Sequence, residues 1–133
     1  MHLQVRLHVG ILEALMEELP ELINALDYKG WRVLSYAAYK GYLNGVRHLL
    51  TNFPNSVKEY DRDGSLPIHK AVGGGHVSIV KEFLLHCPET LYGIDKKGQN
   101  ILHFAVKYTK TDVLDYLTKE TIEVKKIFSL KDN

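Results

Sequence analysis

The sequence predicts an all-α solenoid of stacked helix pairs, and three observations carry that prediction. First, a 34-residue period runs along the chain. Asp27, Asp61 and Asp95 keep it, as do Gly30, Gly64 and Gly98, then Ala37, Ala71 and Ala105. Second, apolar residues inside each period recur at i, i+3, i+4 and i+7, one face of an α-helix. Third, three of the four prolines, Pro20, Pro54 and Pro88, stand in the same register at the end of an apolar stripe. Proline cannot continue a helix interior. Self-similarity at a fixed period of this length is the mark of a repeat architecture.

The elements follow in order. The turns are DYKG, DRDG and DKKG, where Asp bonds nearby backbone amides and Gly tolerates positive φ. Short helices follow as LSYAAYKG, IHKAVGGG and LHFAVKYT, and their alanines let each lie close to its partner. Longer helices are expected near 44–53, 78–87 and 111–119. Their stripes are Leu12, Leu15, Met16, Leu19; then Val46, Leu49, Leu50, Phe53; then Val80, Phe83, Leu84, Cys87; then Leu114, Leu117, Thr118 and Thr121. Leu50 and Leu84 are expected to be core. After each proline an apolar pair is expected to seal the loop: Ile23 and Leu26, Val57 and Tyr60, Leu91 and Ile94.

A lone helix pair cannot bury its apolar face, so neighbouring units must do it. No linker interrupts them, and residues 1–133 are expected to form one domain. It divides into a partial repeat 1–26, repeats 27–60, 61–94 and 95–128, and the start of a further one at 129–133. Ser35 corresponds to Met1 one period back, and FSLKDN resembles the approach to another turn. The expectation is an interior slice of a longer array. Its tail residues Ile122, Ile127, Phe128 and Leu130 would be uncovered, and its uncapped ends prone to self-association.

The period and the motif Asp-x-x-Gly…Leu-His-x-Ala resemble ankyrin repeats. The consensus Thr-Pro-Leu-His-x-Ala stands here as Arg32-Val33-Leu34-Ser35-Tyr36-Ala37, Leu66-Pro67-Ile68-His69-Lys70-Ala71 and Asn100-Ile101-Leu102-His103-Phe104-Ala105. The threonine is absent from all three, the proline survives once and the histidine twice. A following Gly-His-x-x-x-Val is best kept at Gly75 to Val80, whereas Thr109 and Lys110 lose the pair. The series GWRVLSYAA, GSLPIHKAV and GQNILHFAV, with LLHCPE, is similar to plant ankyrin proteins of the accelerated-cell-death type. That resemblance implies a cytosolic repeat region ahead of a multi-span membrane domain, at the plasma membrane, serving defence and stress signalling. It covers the repeats alone, and membrane attachment rests on kinship.

Composition narrows the function. Seventeen Lys and Arg against sixteen Asp and Glu leave a formal charge of +1, which gives no support to nucleic-acid binding. No apolar run approaches the roughly 20 residues of a membrane span, so no direct membrane contact is expected of this segment. The single cysteine, Cys87, rules out an intramolecular disulfide. It shares the register of Leu19 and Phe53 and is expected to be a packed, inert thiol. A thiol-dependent enzyme or redox regulator is the rival reading, and a structural spacer another. His69 and His103 lie one repeat apart, with no Cys or His at zinc spacing, so they are expected to tie adjacent turns together. Gly73 to Gly75 lack the Lys-Ser/Thr of a phosphate loop. No catalytic residue, metal or cofactor is expected.

Binding another protein is the expected role. Alignment of the units brings Trp31, Arg32, Tyr36, Tyr39, Lys40, Lys70, Phe104, Lys107 and Tyr108 to the turn tips and to one face of the short helices. In ankyrin-like stacks these line the concave surface. Rings interleaved with cations suit protein interfaces, because aromatics supply large contact area at low entropy cost. The competing use of these rings, Tyr36 above all, is packing on a neighbouring repeat.

Overall fold

The computed structural model describes residues 14–119. Helical residues 14–18 form α1. They are followed by α2 (Val33–Lys40), α3 (Leu43–Asn52), α4 (Pro67–Gly73), α5 (Val77–His86), α6 (Ile101–Lys107) and helical residues 111–119, α7. Short helices α2, α4 and α6 stack side by side, and α3 packs on α5 behind them. The tail residues Ile122, Ile127, Phe128 and Leu130, together with Leu12, Thr121 and the two ends of the expected array, lie outside the described residues.

Each proline does more than stop a helix. Pro20, Pro54 and Pro88 each open a one-turn 3₁₀ helix, Pro20–Asn24, Pro54–Lys58 and Pro88–Tyr92. The fixed φ of proline suits a first helical position, and its missing N–H would be unpaired there in any case. Ser56 and Thr90 secure two of these turns by donating their hydroxyls to Phe53 O and Cys87 O.

The tips are tied to each other. Asp27 N donates to Trp31 O, Asp61 N to Ser65 O and Asp95 N to Gln99 O, closing each tip. Arg62 N then donates to Gly30 O, and Lys96 N to Gly64 O, linking one tip to the next. Gly30 has φ +81, and an added Cβ would lie 2.6 Å from Arg62 Cβ, so only glycine lets the tips approach.

The left-handed turn between the short and long helices is made by Gly41, Gly75 and Thr109, at φ 83, 77 and 55. A β-branched residue is strained there. Thr109→Gly is expected to raise the unfolding free energy by about 0.5–1 kcal/mol, the relief of strain less the entropy glycine adds to the unfolded chain. Urea denaturation of the pair checks this.

Burial corrects the expected core. Met16, Val46, Leu49, Leu50, Val80, Phe83 and Leu117 are buried, joined by Ala37, Ala71 and Ala105 under the short helices. Leu15 and Leu19 are exposed at 44% and 43%. Leu15 holds the register of Leu49 and Phe83 but sits on the first described helix, without a described helix on its outer side. Leu84, Phe53, Cys87 and Leu114 are only half-buried. In the loop pairs, Ile23 and Val57 are buried and Leu91 half-buried, whereas Leu26 and Ile94 are exposed. Leu26 and Ile94 serve through their backbones, as single β-bridges to Arg32 and Asn100.

Candidate partner-binding surface

The exposed face of α2, α4 and α6, with the tips beside it, contains a cleft of about 290 Å³. The 34-residue register explains its shape. Tyr39, Gly73 and Lys107 are equivalent positions on three adjacent helices. A Cβ added to Gly73 would meet nothing within 4 Å. Tyr39 and Trp31 therefore stand on one side of a gap, Phe104, Lys107 and Tyr108 on the other, and Gly73, His69 and Lys70 lie between. The rings brace one another. Trp31 meets Tyr39 edge-on at 5.1 Å between centroids, Phe104 lies 4.6 Å from His69, and Tyr108 lies 5.7 Å from Phe104.

His69 is fully buried. Its Nδ1 accepts from Leu66 N, and its Nε2 pairs with Gln99 O at 3.0 Å, so the ring joins two repeats. Burial lowers its pKa below the ordinary 6.5, which outweighs the hydrogen bond to Gln99 O. A neutral ring with both nitrogens engaged is a structural tie. His103 accepts from Asn100 N while its own amide donates to Asn100 Oδ1, capping α6. The first repeat has Ser35 at this position, buried, with its Oγ unpartnered. A hydroxyl is too short to span the gap, and the neighbouring Arg32 N is instead taken by Asp61 Oδ1 at 2.8 Å.

Lys70 is buried too, at 7% exposure. Its Nζ lies 3.2 Å from Asp61 Oδ2, donates to Asp63 Oδ2 at 2.7 Å and to Ser65 Oγ at 2.5 Å, and sits 4.5 Å from the centre of the Trp31 ring. Burial alone would raise the Asp63 pKa, but the hydrogen bonds from Lys70 and Ser65 prevail and hold it below its usual value.

The structure separates the nine expected residues. Trp31, Tyr39, Lys70, Phe104, Lys107 and Tyr108 line the cleft. Lys70 does so as part of a buried network rather than as an exposed cation. Arg32 is half-buried and directs Nε to Tyr60 O and Nη1 to Asn24 O, joining two loops. Tyr36 lies in a neighbouring apolar hollow with Leu15, Met16 and Leu22, edge-on to Tyr42, and Lys40 covers its ring at 5.9 Å. The cleft also takes in Asp63, Ser65, Asp95, Lys97 and Gln99, which sequence reasoning missed. Shifting Lys29 and Trp31 by one and two periods points to all of these but Asp95, which follows from Asp27.

Cys87 is half-buried, and burial followed by the Glu89 carboxylate pushes its thiol up from 9.0. Reactive cysteines show the opposite shift. Alkylation of the folded protein at pH 7.5 is expected to run several-fold slower than in urea; equal rates would show an activated, accessible thiol. Among the described residues no His, Cys, Asp or Glu cluster is arranged to hold a metal ion, and no helix is long and apolar enough to cross a membrane.

Comparison with known proteins agrees with this architecture. The family model described as ankyrin repeats (3 copies) matches residues 34–127. A relative, Protein ACCELERATED CELL DEATH 6 of Arabidopsis thaliana, is 40% identical over 61 residues, which cover 46% of this chain and 9% of that protein. The matched segment thus spans about a tenth of the relative's length. The family-model match over residues 34–127, with the His69 tie, the glycine tips and the stacked helix pairs among the described residues, places the chain in the ankyrin-repeat family.

Proposed function

We propose that the chain is a protein–protein interaction module whose partner docks on the concave face, centred on the cleft around Gly73. The observation that carries this reading is the convergence of Trp31, Tyr39, Phe104 and Tyr108, from two non-adjacent repeats, on one cleft. Solenoids of this kind bind through such extended concave surfaces. The thiol-dependent alternative loses support from the raised Cys87 pKa. A bare spacer has no use for exposed rings at one site. The likeness to ACCELERATED CELL DEATH 6 supports a role in plant defence or stress signalling, as the cytosolic repeat region of a membrane-anchored parent. Fractionation of cells expressing the complete reading frame tests the anchoring.

The docking face is tested with binders selected from an unbiased display library against the folded chain, their footprints mapped by amide chemical shifts. Footprints on α2, α4 and α6 support the reading; footprints on α3 and α5 overturn it. Tyr39 and Tyr108 are 40% and 47% exposed. Replacing both by alanine is expected to weaken such binders at least about tenfold, as loss of aromatic anchors does, and to leave the melting temperature nearly unchanged.

A further inference from the structure

On the floor of the cleft, His69 and Lys70 already have partners. His69 has both ring nitrogens engaged, and Lys70 is held by Asp61, Asp63 and Ser65 beneath Trp31. What remains open is the ring faces above Gly73, beside the polar side chains of Asp63, Lys97 and Gln99. The rim is different. Lys29, Lys97 and Lys107 are exposed, and among the described residues none of them forms an ion pair; Lys29 and Lys107 only cover rings. The four carboxylates of the tips, Asp27, Asp61, Asp63 and Asp95, are outnumbered by Lys29, Arg62, Lys96 and Lys97 of the tips together with Lys70 and Lys107 of the short helices. Asp27 and Asp95 are committed to their own turns, accepting from Lys29 N and Trp31 N and from Lys97 N and Gln99 N. Asp63 is paired with Lys70. A chain of formal charge +1 thus presents a locally cationic rim around a cleft walled by aromatic rings.

We infer that the cleft takes one bulky apolar side chain from an acidic segment of the partner, with Gly73 as the residue that makes room for it. This rests on the concave-face reading above. A volume of about 290 Å³ lies at the lower end of small-ligand pockets and suits a single anchor. Carboxylates flanking the anchor meet Lys97 and Lys107 on the third repeat and Lys29, over the Trp31 ring, on the first. Gly73 decides selectivity because the equivalent positions carry Tyr39 and Lys107. A long side chain there would close the cleft without disturbing the helix, since Gly73 is outside the set of positive-φ glycines and has open space at its Cβ.

The test uses the 133-residue chain and three blocked pentapeptides, followed by amide chemical shifts. The first has a central phenylalanine flanked by two glutamates on each side, the second has lysines in place of the glutamates, and the third has alanine in place of the phenylalanine. The first is expected to give saturable shifts at Trp31, Tyr39, Gly73 and Phe104. The other two should bind about tenfold or more weakly. Gly73→Leu should abolish these shifts at unchanged melting temperature. Lys97→Glu with Lys107→Glu should reverse the preference toward the lysine probe, and added salt should weaken every charged pairing. Equal binding of the glutamate and lysine probes, full binding by Gly73→Leu, or no binding by any probe at millimolar concentration overturns the inference. If library-selected binders still map to α2, α4 and α6 in that case, the docking reading stands without it. If they map to α3 and α5, both fall.

Discussion

Replacing Phe83 by alanine is expected to lower the unfolding free energy by about 3–5 kcal/mol, the usual cost of removing a fully buried aromatic. Phe83 is 0% exposed and occupies the α5 position equivalent to Leu49 on α3 and Leu117 on α7, both also 0% exposed. Truncation leaves a cavity inside the stack as well as losing buried area, and close-packed neighbours collapse into it only partly. Because stability in a repeat array is a sum of unit and interface terms, the damage concentrates on the middle unit. Leu85, two residues on and 76% exposed, is the control, and Leu85→Ala should change stability by less than about 0.5 kcal/mol. Leu84→Ala should fall between the two, because Leu84 is only half-buried. Urea denaturation of the three variants ranks them; a Phe83→Ala cost no larger than that of Leu85→Ala would refute the packing described here.

Lys70→Met is expected to cost about 3–5 kcal/mol, for a different reason. Removing one partner of a buried ion pair strands the other. Asp61 is 2% exposed, and Lys70 is its cation. Adding Asp61→Asn should recover much of the loss, because asparagine removes the stranded charge yet keeps an oxygen for Arg32 N. No recovery would mean that Lys70 acts through its packing under Trp31 alone.

The pH profile offers a second readout on the same variant. The folded Asp63 pKa is lowered, so its contribution is present above the unfolded value near 3.8 and is lost as pH falls through the folded value. Lys70→Met removes the main hydrogen bond behind that shift and should flatten the acid limb. His69 adds a separate window. Burial lowers its folded pKa, so stability is complete above about 6.5 and declines as pH falls from there toward the folded value. That decline should persist in Lys70→Met, since burial and not Lys70 is its leading cause.

Much of this protein is legible in one dimension because a solenoid is built from contacts between residues close in sequence and between identical registers in adjacent units. Asp27, Asp61 and Asp95 announce the turns, Ala37, Ala71 and Ala105 the close-packed short helices, and Leu49, Phe83 and Leu117 the buried stripe. The aromatic cluster was legible for the same reason, since register alone brings Trp31, Tyr39, Phe104 and Tyr108 to one face. Burial at the array's edge was not, because Leu15 and Leu49 read alike and differ only in what lies on their outer side.

The sharper divide lies at the second tip. Asp27 and Asp95 accept hydrogen bonds from the amides of their own turns, whereas Asp61, in the same motif, reaches back to Arg32 N and pairs with Lys70. Local sequence determined that an aspartate would stand there. Only the tertiary structure decided which way it turned: Asp63 takes over the amide of Ser65, Ser35 is too short to bridge the first repeat, and Lys70 draws the freed carboxylate inward. The Gly73 cleft is of the same kind. The sequence specifies a missing side chain, and the rings of two other repeats make its absence a cleft.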